Sequence, residues 1–205
     1  MSLGERFFAL IYDRMIAGAE EAGIAERRRA LLAGLDGDVL EVGAGTGANL
    51  PHYNGSLHSL TLTEPSKPML RRLQPRVEEQ AAPAKLLRAP AEDLPFQDAS
   101  FDAVVCTLVL CGVDDQPRAL GELRRVLRPG GKLIFLEHVR SEDPKLARLQ
   151  DRMNPINNLI ARCDCNRPTV ASIRGAGFTV EELDHGEFPK APKWVRPLVV
   201  GTAQA

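Results

Sequence analysis

Three closely spaced glycines follow the first apolar segment of this chain and constrain its fold more than any other feature. Residues 38–43 (DVLEVG) form a short run that predicts a buried strand, and the glycines stand at 43, 45 and 47. Glycine lets the backbone turn sharply and approach a ligand closely, because it has no Cβ. A glycine turn between a strand and a helix is typical of open parallel sheets that bind ligands beyond the carboxyl ends of their strands.

The chain then alternates short apolar runs with amphipathic segments, as expected for a parallel sheet with helices between its strands. Four further strands are predicted, at 59–64, 84–88, 101–109 and 132–138. The run at 101–109 is the most apolar and is therefore predicted to be central. Helical segments are predicted at 47–54, 66–80 and 117–127, the first as a short helix or turn. We therefore predict an α/β protein with a doubly wound, Rossmann-like sheet.

Both ends of the chain depart from this alternation. Apolar residues recur at near-helical spacing over 5–34, which predicts a pair of N-terminal helices. After the fifth strand, the pattern predicts helices at 143–161 and 169–175 and two closing strands at 178–183 and 197–203. The closing strands are expected to form an antiparallel edge, joined by a proline-containing loop that extends over the surface. We predict one domain over 1–205, divided into a helical cap (1–35), a cofactor-binding half (36–140) and a substrate-side half (141–205).

Acidic residues stand at or near the ends of the first three predicted strands. Glu41 lies two residues before the first glycine, where a carboxylate suits a ligand ammonium or its bridging waters. Glu64 ends the second strand, where a carboxylate can accept two hydrogen bonds from ribose hydroxyls. Glu92 follows the third strand and can accept a hydrogen bond from an adenine amine. These positions suit NAD and an adenosyl group equally well.

Composition excludes several other classes of function. Lys plus Arg number 26 and Asp plus Glu 27, so the net charge of −1 gives no overall attraction for nucleic acid. The four cysteines are too few for a disulfide scaffold, and neither a signal peptide nor a membrane-spanning run of apolar residues is predicted. We expect reduced cysteines and a cytoplasmic protein. The Arg27–Arg29 run is interpreted as a solvated helix face, with peripheral contact to an anionic membrane as the alternative.

The motifs together resemble those of class I S-adenosylmethionine-dependent methyltransferases. They are EVGAGTG from Glu41, Glu64-Pro65, AEDLPF from Ala91, Phe101-Asp102 and VLRPGG from Val126, and they occur in the order found in that family. The resemblance covers roughly residues 38–140 and implies a seven-stranded sheet whose last strand is antiparallel. It also implies S-adenosyl-L-methionine as the cofactor.

The resemblance further implies where each part of the cofactor binds. Glu41 and the glycine loop would hold the methionine part, Glu64 the ribose, and Glu92 with Leu94 the adenine. Thr107 and Leu108 would contact the cofactor where the acceptor enters. The full implied set is Glu41, Gly43, Ala44, Gly45, Thr46, Gly47, Asn49, Glu64, Pro65, Met69, Ala91, Glu92, Asp93, Leu94, Thr107 and Leu108.

A narrower likeness extends nearly to the end of the chain. The segments CTLVLCGV from Cys106, LEHV from Leu136, DCNRPT from Asp164 and WVRP from Trp194 resemble the animal thiol methyltransferases. Relatives of this type also include lipid-amine and quinone-precursor methyltransferases. The animal proteins begin with an apolar membrane anchor, and no such segment is expected at the start of this sequence. The resemblance implies a small, apolar methyl acceptor carrying a thiol, amine or hydroxyl group.

His138 is the candidate catalytic residue. It ends the fifth predicted strand at the ligand edge of the sheet, where an imidazole could act as a base or orient the acceptor. A structural, hydrogen-bonded histidine is the alternative. Tyr12 and Asp13 are candidates to close over the cofactor from the N-terminal helix.

Two other functions stay open at this point. An NAD-dependent oxidoreductase fits the glycine loop, although only two tyrosines, Tyr12 and Tyr53, are available for a catalytic Tyr/Lys pair. A regulatory protein that binds the cofactor without turnover fits as well. We predict no metal, because Cys163 and Cys165 lack the spacing of a zinc site.

Overall fold

The computed structural model describes residues 3–53, 56–79 and 84–205. Seven strands form one sheet: β1 (Gly37–Val42), β2 (Leu57–Thr63), β3 (Ala84–Leu87), β4 (Phe101–Thr107), β5 (Leu127–His138), β6 (Thr179–Glu187) and β7 (Pro197–Gln204). The α-helices are α1 (Leu3–Ala19), α2 (Ala25–Leu32), α3 (Lys67–Glu78), α4 (Gln116–Val126), α5 (Pro144–Ala161) and α6 (Thr169–Gly175). The expected α/β architecture is therefore confirmed.

The strand order is β3-β2-β1-β4-β5-β7-β6, which puts β4 in the middle as its apolar sequence predicts. Strand β7 is antiparallel to both neighbours, and the remaining strand pairs are parallel. The chain moves outward from β1 through β2 to β3 and then returns to the other side of β1 with β4. Ligands bind at such a reversal of strand order, beyond the carboxyl ends of β1 and β4.

The N-terminal helical region contains a break that the apolar spacing did not predict. Glu20–Ile24 form a π-helical turn between α1 and α2, and within it Gly23 has a φ of 126°. That backbone conformation is strained for residues with a Cβ, so Gly23 allows the change of direction. At this bend Glu20 accepts a hydrogen bond from Arg28 of α2, and Ile24 is buried in a cluster with Leu136 and Phe188.

The interpretation of Arg27–Arg29 as a solvated helix face is wrong for its middle residue. Arg28 is only 2% exposed and lies inside the molecule. Arg27 pairs with Asp184 of β6, while Arg29 pairs with Glu26 on the surface of α2. A run of three arginines hides this difference, because neighbouring helix residues point about 100° apart.

Several strand boundaries differ from prediction, among them the end of β4 and the start of β5. Strand β4 ends at Thr107 rather than 109, because Leu108 adopts a left-handed backbone with a φ of 60°. Strand β5 begins at Leu127 rather than 132, because Leu127 pairs with Phe101 before the glycine pair Gly130-Gly131 interrupts the register. The predicted helices at 47–54 and 66–80 are observed as a 3₁₀ turn (Leu50–His52) and as α3, and residues 54 and 80 lie outside the described part of the chain.

Candidate active site

A cavity of about 810 Å³ opens along the carboxyl edge of the sheet. This is near the upper end of the roughly 300–1,000 Å³ typical of small-molecule sites. Its lining follows the strand order: Glu92 after β3, Glu64 after β2, Gly43 and Gly45 after β1, Leu108 after β4, and His138 at the end of β5. At about 4.8 Å per strand, the row from β3 to β5 spans roughly 19 Å. The cavity is therefore long enough for an extended ligand and a second molecule beside it.

The glycine loop forms the centre of this cavity. Gly43 and Gly45 have φ values of 65° and 59°, in the left-handed region. A Cβ at Gly43 would lie 2.6 Å from the Val109 side chain, so this glycine permits close packing of the loop against the residues after β4. A Cβ at Gly45 would meet nothing closer than 3.9 Å and would project toward Tyr12, which also lines the cavity. Gly45 thus leaves open a space that any side chain would fill.

Other residues of the glycine loop pack away from the cavity. Ala44 belongs to a buried cluster with Leu62 and Leu73, and Gly47 lies against Leu73. Thr46 donates a 2.5 Å hydrogen bond from its hydroxyl to Asp13. These three positions support the loop and do not line the cavity in this structure.

Asp13 ties α1 to the glycine loop. Besides Thr46, it accepts hydrogen bonds from Arg72 and Arg76 of α3. Because these bonds favour the ionised carboxylate, they outweigh the effect of burial and lower the pKa of Asp13. Tyr12 rather than Asp13 therefore covers the cavity, and burial raises the pKa of the Tyr12 phenol to about 12.

Glu64 is fixed at the cavity wall by two backbone groups. Its Oε2 accepts a 2.9 Å hydrogen bond from the amide of Gly45, and its Oε1 accepts a 2.8 Å bond from the amide of Ser66. Burial raises the pKa of Glu64, while the two amides oppose that shift. Each carboxylate oxygen has a second lone pair, so Glu64 remains able to accept hydrogen bonds from a ligand.

The segment after β3 separates into cavity-facing and core residues. Glu92 lines the cavity and accepts hydrogen bonds from the amides of Asp114 and Asp115 through Oε1. Leu94, expected to cover an adenine ring, is instead buried in the main hydrophobic core, and Asp93 is exposed. Ala91 lines the cavity in its place, together with Pro65 of the β2–α3 connection and Met69 of α3.

Glu41 belongs to a buried polar network beside the cavity rather than to its lining. Its carboxylate accepts hydrogen bonds from Tyr53 (2.8 Å) and Asn49 (3.0 Å). Asn49 and Thr107 in turn accept hydrogen bonds from the guanidinium of Arg28, at 2.9 and 2.8 Å. Burial raises the pKa of Glu41 to about 7, although its donors oppose this. The expected direct ligand contacts of Glu41, Asn49 and Thr107 are therefore absent from the cavity lining of this structure.

Glu137 organises the loop that follows β4. Its buried carboxylate accepts hydrogen bonds from the amides of Val109, Leu110 and Cys111, at 2.8, 2.9 and 3.2 Å. Burial outweighs these bonds and raises the pKa of Glu137 to about 7. The three bonds hold Leu108 in its left-handed conformation at the cavity wall, a role that the sequence analysis did not assign to Glu137.

His138 lies in an apolar part of the cavity. Its ring packs 4.9 Å from the ring of Phe188, centroid to centroid. Its Nδ1 atom is buried and has no hydrogen-bond partner among the described residues. Burial lowers the pKa of His138 to about 4, so the imidazole is neutral at pH 7. The imidazole of His138 lines the cavity and is therefore placed to contact a bound molecule.

The remaining wall of this region comes from the helical cap and the substrate-side half, although the sequence did not indicate which of their side chains line the cavity. The link between β6 and β7, predicted to extend over the surface, lines the cavity through Phe188, Pro192 and Trp194. Helices α1 and α5 contribute further apolar lining residues, namely Phe8, Met15, Ile16, Ile156 and Ile160. Tertiary packing brings these side chains together, and no local sequence pattern indicated that they would line the cavity.

Two of the four cysteines also line this region. Cys111 and Cys163 are buried there beside Trp194, and all four cysteines are free thiols. The neighbouring Cys163 thiol and burial raise the pKa of Cys111 well above its usual value, so this thiol stays protonated. Cys106 is a buried residue of β4. The prediction that no metal is bound stays a prediction.

Comparison with known proteins identifies the family. A family profile described as a methyltransferase domain matches residues 40–135. A thiol S-methyltransferase of Homo sapiens is 32% identical over 203 residues, covering 96% of this chain and 82% of the human protein. The chain belongs to the S-adenosylmethionine-dependent methyltransferases. The resemblance to the thiol methyltransferases is confirmed, and the NAD-dependent alternative receives no support.

Two further comparisons bear on this methyltransferase. A phosphatidylethanolamine N-methyltransferase of Cereibacter sphaeroides is 33% identical over 152 residues, covering 73% of this chain and 74% of that protein. The crystal structure of a SAM-dependent methyltransferase from Thermotoga maritima, described as a possible histamine N-methyltransferase, superimposes with a TM-score of 0.71. It is 24% identical and covers 100% of this chain and 99% of its own, so it shares the fold.

The residues of the methyltransferase fit its cofactor. The open space at Gly45 and the fixed carboxylate of Glu64 form a cradle for an amino acid joined to a ribose. When bound, S-adenosylmethionine supplies a methyl group carried on a positively charged sulfur. The chain's own contribution is to hold the cofactor and the acceptor side by side and to keep water away from them.

Proposed function

We propose that this methyltransferase transfers a methyl group to the sulfur of a small, apolar thiol. The observation that carries the proposal is the composition of the cavity near β5. Leu108, Phe188 and Trp194 make its wall apolar, and His138 is neutral at pH 7. The thiol S-methyltransferase of Homo sapiens, similar over nearly the whole chain, supports the same acceptor.

A thiol suits an apolar cavity wall because it can react without a strong base. Its pKa of about 8.5 makes it partly ionised near neutral pH, whereas an alcohol would require a strong base. In the proposed reaction the acceptor sulfur forms a bond to the methyl carbon while the bond from that carbon to the cofactor sulfur breaks. The thiol proton leaves to water, while the imidazole of His138, which lines the cavity, orients the acceptor. His138 is thus proposed as the catalytic residue.

The cofactor contacts are proposed from the order of the cavity lining. Gly43 and Gly45 would hold the methionine part, Glu64 the ribose, and Glu92 with Ala91 the adenine. Pro65, Met69 and Leu108 would complete the walls. Glu41, Asn49 and Thr107 would act as positioning residues, because their network joins Arg28 to the glycine loop. Ala44, Thr46, Gly47, Asp93 and Leu94 would support the loops that carry the contacting groups.

The proposal also covers the setting of the reaction. We propose a single methyltransferase domain over residues 1–205, with α1 and α2 as its cap, a cytoplasmic location and no nucleic acid partner. The free cysteines support a reducing compartment, and the net charge of −1 supports the lack of a nucleic acid partner. Among the described residues, no helix is long and apolar enough to cross a membrane.

The test compares acceptors that differ only in the reacting atom. We would incubate the full chain and S-adenosylmethionine with 2-phenylethanethiol, 2-phenylethylamine and 2-phenylethanol, and measure products by mass spectrometry. We expect the S-methyl product to dominate. Methylation of the amine alone would contradict the thiol proposal. S-adenosylhomocysteine that stabilises the protein in a thermal shift assay, with no methylation of any acceptor, would instead favour the cofactor-binding protein without turnover.

A further inference from the structure

The exposed apolar side chains of this protein are concentrated on two helices. In the described part of the chain, seven large hydrophobic side chains are exposed, and all of them lie on α1 or α5: Phe7, Leu10, Met15, Leu149, Ile156, Leu159 and Ile160. Leu159 is 83% exposed and Leu10 is 65% exposed. Exposed apolar side chains concentrated on two helices that line the same cavity indicate an interaction site. We call these seven side chains the apolar rim.

The apolar rim continues into the cavity of the active site. Met15, Ile156 and Ile160 belong to the rim and also line the cavity. Leu10 and Leu159 belong to the rim but are outside the cavity lining. An apolar molecule that enters between α1 and α5 would therefore reach the wall near His138 without crossing a polar surface.

Unpaired basic side chains accompany the apolar rim. Arg148 and Arg152 of α5 and Arg6 and Arg14 of α1 are exposed, and none of them has an ion-pair partner among the described residues. Lys145 is also exposed on α5. These charges stand out in a chain whose net charge is −1.

Apart from Glu5, which lines the cavity, the acidic side chains of the same helices are paired with arginines or lie at the start of α5. Asp13 pairs with Arg72 and Arg76, and Asp151 pairs with Arg140. Glu142 and Asp143 lie at the start of α5, at the end of the helix far from Leu159. The surface around the rim is therefore apolar with a net positive border.

We propose that the apolar rim docks on an anionic lipid bilayer, and that the acceptor enters the cavity from the bilayer. The proposed docking is based on the apolar rim and the charges beside it. The proposed entry of the acceptor from the bilayer rests on the proposed function. An apolar helix face with basic neighbours matches the acyl–headgroup boundary of an anionic membrane. A second copy of this chain fits less well, because a two-fold interface would bring the same unpaired arginines together.

The docking experiment uses vesicle flotation with the full chain. Vesicles of phosphatidylcholine, with and without phosphatidylglycerol, would be floated after incubation with the protein, and bound protein would be quantified. We expect binding to the vesicles that contain phosphatidylglycerol. The double variant Leu10→Gln/Leu159→Gln is expected to lower the partition coefficient about tenfold or more, because two exposed apolar side chains are lost. Arg148→Glu/Arg152→Glu should reduce it by a similar factor and remove its dependence on salt.

Matched controls separate docking from general surface effects. Arg174→Glu reverses an exposed charge on α6, away from the rim, and should leave flotation within about twofold of the parent. Circular dichroism would verify that each variant is folded. Flotation of the parent with neither vesicle type, or flotation unaffected by the leucine double variant, would overturn the proposal. A parent dimer in sedimentation that the leucine double variant converts to monomer would also overturn it, in favour of a self-interface.

The entry route is tested with two thiols of different partitioning. Leu10→Gln/Leu159→Gln should methylate 2-phenylethanethiol at the parent rate when vesicles are absent, and should lose about tenfold in rate on a long-chain alkanethiol held in anionic vesicles. Equal loss on both acceptors would overturn the entry route. A parent that floats with vesicles but methylates neither thiol would retain the docking surface and refute the thiol acceptor. Failure of the proposed entry route and failure of the proposed thiol acceptor can therefore be distinguished.

Discussion

Glu64 has the most closely defined geometry of the proposed cofactor-binding side chains. Its two oxygens are held by the amides of Gly45 and Ser66, so the carboxylate is oriented before any ligand arrives. We expect Glu64→Ala to weaken S-adenosylhomocysteine binding by about 1.5–3 kcal/mol, the usual value of hydrogen bonds to a charged group, which is roughly a tenfold to hundredfold higher Kd. Isothermal titration calorimetry measures this change directly.

The control for this titration is Glu78→Ala, which removes an exposed carboxylate from α3. Its Kd should match that of the parent. A Glu64→Ala protein that is folded and titrates like the parent would disprove the ribose role of Glu64.

At the same scale, the sequence predicted acidic ligands at the strand ends but not which of them face the cavity. Glu41 and Glu64 occupy similar positions after apolar runs. Tyr53 and Asn49 hold Glu41 in the buried network, whereas backbone amides hold Glu64 at the cavity wall. Tyr53 and Asn49 lie outside β1, and Gly45 lies outside β2. The different positions of the Glu41 and Glu64 side chains therefore depend on tertiary contacts. Leu94 was likewise misplaced, because an apolar side chain beside a cavity and one in the core look alike in sequence.

The contact between α2 and the glycine loop depends on a single buried arginine. Arg28 is hydrogen-bonded to Glu20, Asn49 and Thr107, which come from three different elements. We expect Arg28→Ala to lower the free energy of unfolding by about 3–5 kcal/mol, because its removal leaves Glu20 and two polar groups without their shared donor. Urea unfolding, followed by circular dichroism, measures the loss.

The adjacent residue supplies a matched control. Arg29 is exposed and pairs with Glu26, also exposed, so Arg29→Ala should change the free energy of unfolding by no more than about 0.5 kcal/mol. Equal losses in the two variants would show that the Arg28 network contributes nothing beyond an ordinary helix position.

The strands and helices of this fold could be predicted where the local sequence pattern alone determines them. Apolar runs located the strands, and the most apolar of them, β4, is central. The break at Gly23 and the early start of β5 at Leu127 were missed, because each depends on contacts with another element. The substrate-side half was expected to lie beside the acceptor, but its lining side chains Phe188 and Trp194 were not identified, for the same reason. The prolines between them indicate an extended segment, but only the neighbouring helices α1 and α5 turn that segment into a cavity wall.

For the molecule as a whole, buried titratable groups predict how stability depends on pH. His138 has a pKa of about 4 when folded and about 6.5 when unfolded, so the unfolded state binds more protons between these values. Its contribution to stability is therefore present above about pH 6.5 and is lost as the pH falls toward 4. Glu41 and Glu137, with folded pKa values of about 7, contribute in the opposite sense, favouring the folded state at low pH.

Comparison of the parent with His138→Gln separates the contribution of His138 to the pH dependence of stability from the contributions of Glu41 and Glu137. We expect the parent's stability, relative to the variant, to fall by up to about 3 kcal/mol between pH 7 and pH 4. Urea unfolding at a series of pH values measures it, with His185→Gln as the control for loss of an exposed imidazole. A stability difference that is constant over this range would contradict a buried, neutral His138.

The position of β7 has a consequence for how this protein is made. β7 follows all six other strands in the chain, yet it lies between β5 and β6. Until it emerges from the ribosome, β5 lacks a neighbour on one side, and β6, an edge strand that pairs with β7, lacks its partner altogether. Such open edges promote pairing with other chains. Premature termination shortly before β7 is therefore expected to yield an aggregation-prone product, despite an intact cofactor-binding half.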